Sequence, residues 1–140
     1  GVLSGALCAL TLLALVAGCA PKGAGTTPED TVKAYLAAVK AGDAYGVTRL
    51  YDYQAYAKSQ NSDWDSVPQG ERDLIVDKLA QDKAKDIKDQ LPDMKKALEN
   101  ADLGQVHRGN TTAQVDLQGA PTVRSIQLVN NDGKWYIVAE

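Results

Sequence analysis

Phenylalanine is absent from this 140-residue chain, and histidine and methionine occur once each, as His107 and Met94. Every aromatic ring is therefore a Tyr or a Trp, which adds a polar handle to apolar area. The two cysteines, Cys8 and Cys19, both precede Ala20. From Ala20 onward no thiol is available, which excludes a disulfide, a thiolate metal site and a cysteine nucleophile there. One imidazole and no thiol leave only carboxylates for a metal. Asp63 and Asp65 flank Trp64, but no acidic ladder with a closing Glu follows, so they are read as turn residues and not as a calcium loop. No glycine-rich phosphate cradle and no nucleophile elbow is present. No cofactor and no metal is expected. Basic excess is lacking too: 15 Lys and Arg stand against 18 Asp and Glu, for a net charge of −3. Nucleic acid, which demands a clustered basic face, is not an expected partner. The lysines between Lys78 and Lys96 are interleaved with aspartates, as on a solvated helix face.

What the chain does have comes first in it. Val2 to Ala17 carries no charge and ends in Val16-Ala17-Gly18-Cys19. The run is short for a spanning helix, which needs roughly 20 predominantly apolar residues. A soluble-secretion cut after Ala20 would place Pro21 directly behind it, a poor residue there. A buried core helix is the bland alternative, but no such uninterrupted run recurs in the polar remainder. A small-residue tripeptide leading into cysteine resembles the lipobox of bacterial lipoproteins. That resemblance implies a signal peptide over 1–18, a cut before Cys19, and a diacylglyceryl group on the Cys19 sulfur, which makes Cys19 the lipidated first residue. It also implies a cell membrane or outer membrane address, with the domain on the extracytoplasmic side and membrane lipid as partner. No Met, Lys or Arg precedes the apolar run, so a basic leading segment is expected to be missing from this sequence.

Residues 19–27 are read as a lipidated flexible tether and 28–140 as one α+β domain. As a coil, the eight residues from Ala20 to Thr27 would span about 15 Å. Thr27-Pro28-Glu29-Asp30 is a helix start: a cap, a proline suited to the first turn, and acids at the positive end of the dipole. Val32, Tyr35, Leu36 and Val39 make one apolar helical face. Gly42 supplies a left-handed stop, and Asp43 caps a second short helix carrying Val47, Leu50 and Tyr51. Residues 61–69 read as loop. Glu71 to Asn100 is the longest helical tract, with an apolar stripe of Leu74, Ile75, Leu79, Ile87, Leu91, Met94 and Leu98, and Pro92 must kink or restart it.

The last third changes period. Val106, then Ala113, Val115 and Leu117, then Ile126 and Leu128 fall on alternating positions, as half-buried strands require. Gly109-Asn110 and Gly119-Ala120-Pro121 mark reversals, and Asn130-Asn131-Asp132-Gly133 is the strongest turn signal. Trp135 to Ala139 is apolar on both faces, which predicts a strand inside the sheet. Helices first and an antiparallel meander last indicate an α+β domain.

Pro28-Glu29-Asp30-Thr31-Val32-Lys33-Ala34-Tyr35-Leu36, Lys40-Ala41-Gly42-Asp43 and Leu50-Tyr51 resemble the opening of nuclear-transport-factor-2-like (cystatin-like) domains. Asp132-Gly133-Lys134-Trp135-Tyr136-Ile137-Val138 is similar to their closing hairpin. The resemblance implies N-terminal helices packed in a curved antiparallel sheet of about four strands, a cone with a pocket. The helical tract from Glu71 to Asn100 is longer than that pattern.

Tyr45, Tyr51, Tyr53, Tyr56 and Trp64 crowd together after the first helix. Tyr and Trp suit a wet pocket or a partner interface, so Tyr51, Tyr53, Tyr56 and Trp64 are the candidate ligand-binding residues. The competing reading makes them semi-buried packing residues. His107 shares a strand face with Gln105, and no acid lies close to it in sequence. No catalytic residue is therefore assigned. The expected function is a lipid-anchored envelope protein whose domain binds a small apolar ligand or an envelope protein without catalysis. A small isomerase or dehydratase-type enzyme working in the cone pocket, and a structural or assembly lipoprotein, are the alternatives.

Overall fold

The computed structural model describes residues 23–138. The apolar run, the lipobox with Cys19, and Ala139 lie outside the described residues.

The first helix, α1 (Pro28–Ala41), begins and ends as its local chemistry dictates. Thr27 Oγ1 accepts from the Asp30 N–H at 3.1 Å, and Gly42 takes φ 72°. The Gly42 N–H then bonds the Val39 carbonyl at 3.0 Å and the Asp43 N–H the Ala38 carbonyl at 2.9 Å, closing the last turn in a Schellman motif. Asp43 in turn caps α2 (Ala44–Thr48) through a bond to the Gly46 N–H at 2.9 Å. Tyr51 is not in that helix. It opens β1 (Tyr51–Asp52), followed by α3 (Gln54–Gln60) and a 3₁₀ turn at Trp64–Ser66. Neither N-cap residue, Tyr53 or Asp63, makes a side-chain cap bond; at the start of α3 Asp52 Oδ1 instead accepts from the Gln54 N–H at 3.0 Å.

The long helical tract is two helices, α4 (Gln69–Ile87) and α5 (Leu91–Ala97), joined by a 3₁₀ turn at Lys88–Gln90. Pro92 sits in the first turn of α5, where its missing N–H is not needed. The break therefore precedes the proline. Along α4 the buried residues are Ala80, Ala84 and Ile87, whereas Leu74 is 70% exposed. Leu74 does not belong to the apolar stripe, because α4 packs on α2 and reaches the main core only at its end.

Four antiparallel strands follow: β2 (Asp102–Arg108), β3 (Thr112–Gln118), β4 (Ser125–Asn131) and β5 (Lys134–Val138). With β1 they make a five-stranded sheet in the order β1-β5-β4-β3-β2. The β4–β5 turn holds Asp132 and Gly133 at φ 54° and 84°, between the paired residues Asn131 and Lys134. Two consecutive left-handed residues form the turn whose twist suits a tight hairpin. The protein is thus α+β with five strands where about four were expected. The additional one, β1, is two residues long and runs parallel to β5. It is also what puts β5 inside the sheet. Trp135 and Ile137 are buried, Tyr136 is half-buried and Val138 is exposed, so β5 alternates and is not apolar on both faces.

The inner face of the sheet presents Ala113, Val115, Leu117, Ile126, Leu128, Trp135 and Ile137 to Val32 and Val39 of α1, Val47, Leu50, Ile87, Leu91 and Leu98. Just before α1, the Gly25 N–H donates to Thr31 Oγ1 at 2.9 Å and the Trp135 N–H donates to the Gly25 carbonyl at 2.9 Å. The Thr31 hydroxyl donates to the Trp135 carbonyl at 2.7 Å. One buried threonine therefore ties the entering chain and α1 to the innermost part of β5.

Candidate functional site

The four aromatic candidates do not converge. Tyr51 is half-buried against the core, and its ring centroid lies 6.3 Å from that of Tyr53. Tyr53 is 8% exposed, and its buried hydroxyl lies beside that of Thr48 without making a hydrogen bond of good geometry among the described residues. The neighbouring Thr48 hydroxyl already donates to the Ala80 carbonyl at 2.7 Å. Burial, above all, raises the Tyr53 pKa well over the usual tyrosine value. Tyr56, on α3, is 56% exposed. Trp64 is 3% exposed beneath Arg72, whose guanidinium lies 5.4 Å from the indole ring centroid. Arg72 is fixed there because Nε donates to the Val67 carbonyl and Nη2 to the Asp65 carbonyl, each at 2.9 Å. Trp64 and Arg72, with Gln54, Lys58, Asn131 and Asp132, line a cleft of about 280 Å³.

His107 has the partner that sequence distance concealed. It lies opposite Gln114 across the β2–β3 pair, and Asp116 stands two residues further along the same face. His107 Nε2 is 2.9 Å from Asp116 Oδ2. Asp116 Oδ1 accepts from Gln114 Nε2 at 3.0 Å, and Gln114 Oε1 accepts from Gln127 Nε2 at 2.9 Å. The bond from Gln114, then that from His107, holds the Asp116 carboxyl below its ordinary range. An ionised carboxylate only accepts, so His107 Nε2 must be the donor, leaving Nδ1 as an acceptor in the neutral ring. The signal was available in the turn at Gly109-Asn110. Its closure, with the Gly109 N–H on the Thr112 carbonyl at 2.8 Å, sets the register that pairs His107 with Gln114.

This polar row lies on the outer face of the sheet, away from the core. His107, Arg108, Thr112, Gln114 and Gln127 line a shallow depression of about 550 Å³ there. The space between α1 and the sheet, where the cone pocket is expected, is occupied by Val32, Val39, Val115, Leu128 and Trp135. A larger groove of about 810 Å³ runs along the other side of α1, over its alanines, between the Gly23–Thr26 segment and α2. Among the described residues, no group of three His, Cys, Asp or Glu is placed to hold a metal ion. No helix among them is long and apolar enough to cross a membrane.

No family model matches this chain, and no curated protein does. Among solved structures it is similar to a Campylobacter jejuni protein assigned as an NTF2-like transpeptidase. The two are 16% identical with a TM-score of 0.46, over 81% of this chain and 99% of that one. A likeness at that level transfers no residue role.

Proposed function

We propose that this chain is a lipid-anchored protein of the cell envelope, acylated at Cys19 after removal of residues 1–18, whose domain binds a protein partner without catalysing a reaction. The anchor reading rests on Val16-Ala17-Gly18-Cys19 closing an uncharged apolar run. The observation that carries the binding reading is the contrast across the sheet. Its interior is filled with apolar side chains, whereas His107, Asp116, Gln114 and Gln127 form a linked polar row on the open face. A small apolar ligand needs a mostly apolar concavity, and the filled interior does not favour one. Oriented donors and acceptors on an accessible face instead suit the polar contacts of a protein interface.

Two measurements test the two halves separately. Cys19→Ser should abolish the lipid mass increment and membrane retention; unchanged mass and partition would end the anchor reading. The double variant Gln114→Ala, Gln127→Ala should lose capture of a partner that the wild-type lipidated protein retains. Equal capture would end the assignment of that face. One observation favours a second reading, a small isomerase or dehydratase-type enzyme: the 2.9 Å contact of His107 with Asp116 leaves a free imidazole nitrogen of the kind that general bases use. That reading requires a turnover abolished by His107→Ala and by Asp116→Asn with the fold preserved.

A further inference from the structure

We infer that the groove along α1 is the face turned toward the bilayer and that it seats a membrane phospholipid, with the phosphate on Lys33 and Arg49 and the glyceryl and upper acyl region against the α1 alanines. This rests on an anchor preceding Gly23, as the Cys19 reading supplies. The chain enters the domain along the groove wall. Gly25 is pinned between Thr31 and Trp135 and, with Gly23, forms part of the groove wall. Only residues 20–24 separate Cys19 from that fixed point. Even fully extended, the reach from Cys19 to Gly25 is about 20 Å. A domain of this size has a radius of gyration of about 13 Å. An anchor at Cys19 therefore holds the Gly23–Gly25 end of the groove within about 20 Å of the headgroups.

The opposite end of the domain is as clearly defined. Trp135, bonded to Gly25, lies opposite Asn130, whose N–H bonds the Thr111 carbonyl at 2.8 Å. The Gly25 end is thus the Thr111 end of β3. Gly119 to Thr122 begins where β3 finishes, seven residues away and about 20 Å along the strand.

The groove also offers cations beside apolar surface. Neither Lys33 nor Arg49 makes an ion pair among the described residues, and the Arg49 guanidinium lies 5.1 Å from the Tyr45 ring centroid, a contact that leaves its N–H edges to donate. Both line the groove, and Ala34, Ala37, Ala38 and Ala41 supply its apolar surface. Two acids line it too, Asp30 and Asp43, the second of which also accepts from the Gly46 N–H. The groove is close to neutral in sum, so its attraction for phosphate is local and not a long-range field. That chemistry fits a zwitterionic or anionic phospholipid held nearby by the tether.

The test places a polarity-sensitive fluorophore at Ala37→Cys in the groove or at Thr122→Cys at the far end. Both positions are exposed, and Cys8→Ser removes the other reactive thiol. The full chain is carried in phosphatidylcholine–phosphatidylglycerol vesicles containing a nitroxide-labelled lipid. The probe at 37 should be quenched several-fold more than the probe at 122. Charge reversal at Lys33→Glu with Arg49→Glu should bring the two together while the protein still floats with the vesicles. Equal quenching at 37 and 122, or no effect of the charge reversal, overturns the inference. Shielding of the probe at 37 without vesicles, rising with protein concentration, also overturns it in favour of a second copy of the chain. Intact mass reports acylation separately. If Cys19 carries no acyl group but the chain floats through residues 2–17, the lipoprotein reading fails alone. The same two probes, with Cys19→Ser added, then decide the groove. A chain that does not float defeats both.

Discussion

The inner and outer faces of the sheet are made by the same strands, one residue out of step. Ala113, Val115 and Leu117 point into the core from β3, and Gln114 and Asp116 stand between them on the other side. On β4, Ile126 and Leu128 alternate with the exposed Gln127. Burying one large apolar side chain contributes roughly 1.5–3 kcal/mol, whereas an exposed cross-strand polar pair contributes roughly 0.2–1 kcal/mol. The inner face therefore bears the stability, and the outer face is left free to be chosen for what it contacts.

The largest effect expected on the inner face is that of Trp135→Ala. Trp135 is 1% exposed and in the centre of the core, and truncation should lower stability by about 3–5 kcal/mol. A thermal or urea transition that barely moves would break the contrast between faces. Thr31→Val should follow. It conserves shape but strands the buried Trp135 carbonyl and the Gly25 N–H, for a loss of about 1–3 kcal/mol. Faster amide exchange at Gly25 would distinguish release of the entering chain from general weakening.

Tyr53 carries the contrast into the core, because its buried hydroxyl makes no hydrogen bond of good geometry among the described residues. Tyr53→Phe should keep stability or raise it by up to about 1 kcal/mol, whereas Tyr53→Ala should behave as a core truncation. A clear loss in the Phe variant would mean that the hydroxyl is bonded after all.

Alkali should reveal the same residues. Burial raises the pKa of Tyr51, Tyr53 and Tyr136, and pushes Tyr35 up to about 12. A raised folded-state pKa means stability that is complete below the unfolded value near 10. It is lost as pH rises through the folded value. Denaturation midpoints should therefore fall above pH 10, alongside tyrosinate absorbance, and not between pH 7 and 9.

The outer face should give the smallest effect. Gln127→Ala should change stability by no more than about 0.5 kcal/mol. Asp116 has a lowered folded-state pKa, so its favourable contacts are present above the ordinary carboxylate range and are lost as pH falls through the folded value. Because it and His107 are solvent-exposed, screening keeps that acid-side change slight. A chemical-shift titration of Asp116 should show the lowered pKa, and His107→Ala should move it upward. A large destabilisation by Gln127→Ala would show that the outer face is structural.

Local chemistry was enough for several features. Thr27, Pro28, Gly42 and Asp43 set two helix ends from groups within a few residues of each other. Asp132-Gly133 did the same for the last hairpin. The aromatic cluster was legible only as a composition. That Tyr51 forms a strand depends on the distant β5, and that Tyr53 and Trp64 are buried while Tyr56 is exposed depends on how their segments pack, with Arg72 covering Trp64. Leu74 failed for a related reason: apolar periodicity shows which residues share a helix face, not whether anything lies opposite.

The two capped N-terminal helix ends, the antiparallel strands of the last third, the turn chemistry and the alternation that separates the two sheet faces follow from the sequence, because each depends on bond geometry and neighbours a few residues apart. The lipobox-like Val16-Ala17-Gly18-Cys19 is likewise a linear pattern. Only the tertiary structure decided that β1 closes the sheet beside β5, that the interior is filled, and that His107 meets Asp116. It also decided that Gly25 is pinned beside the α1 groove. Each of these depends on strand register or on packing between segments far apart in the chain. Those interactions become favourable together only once the whole core has formed.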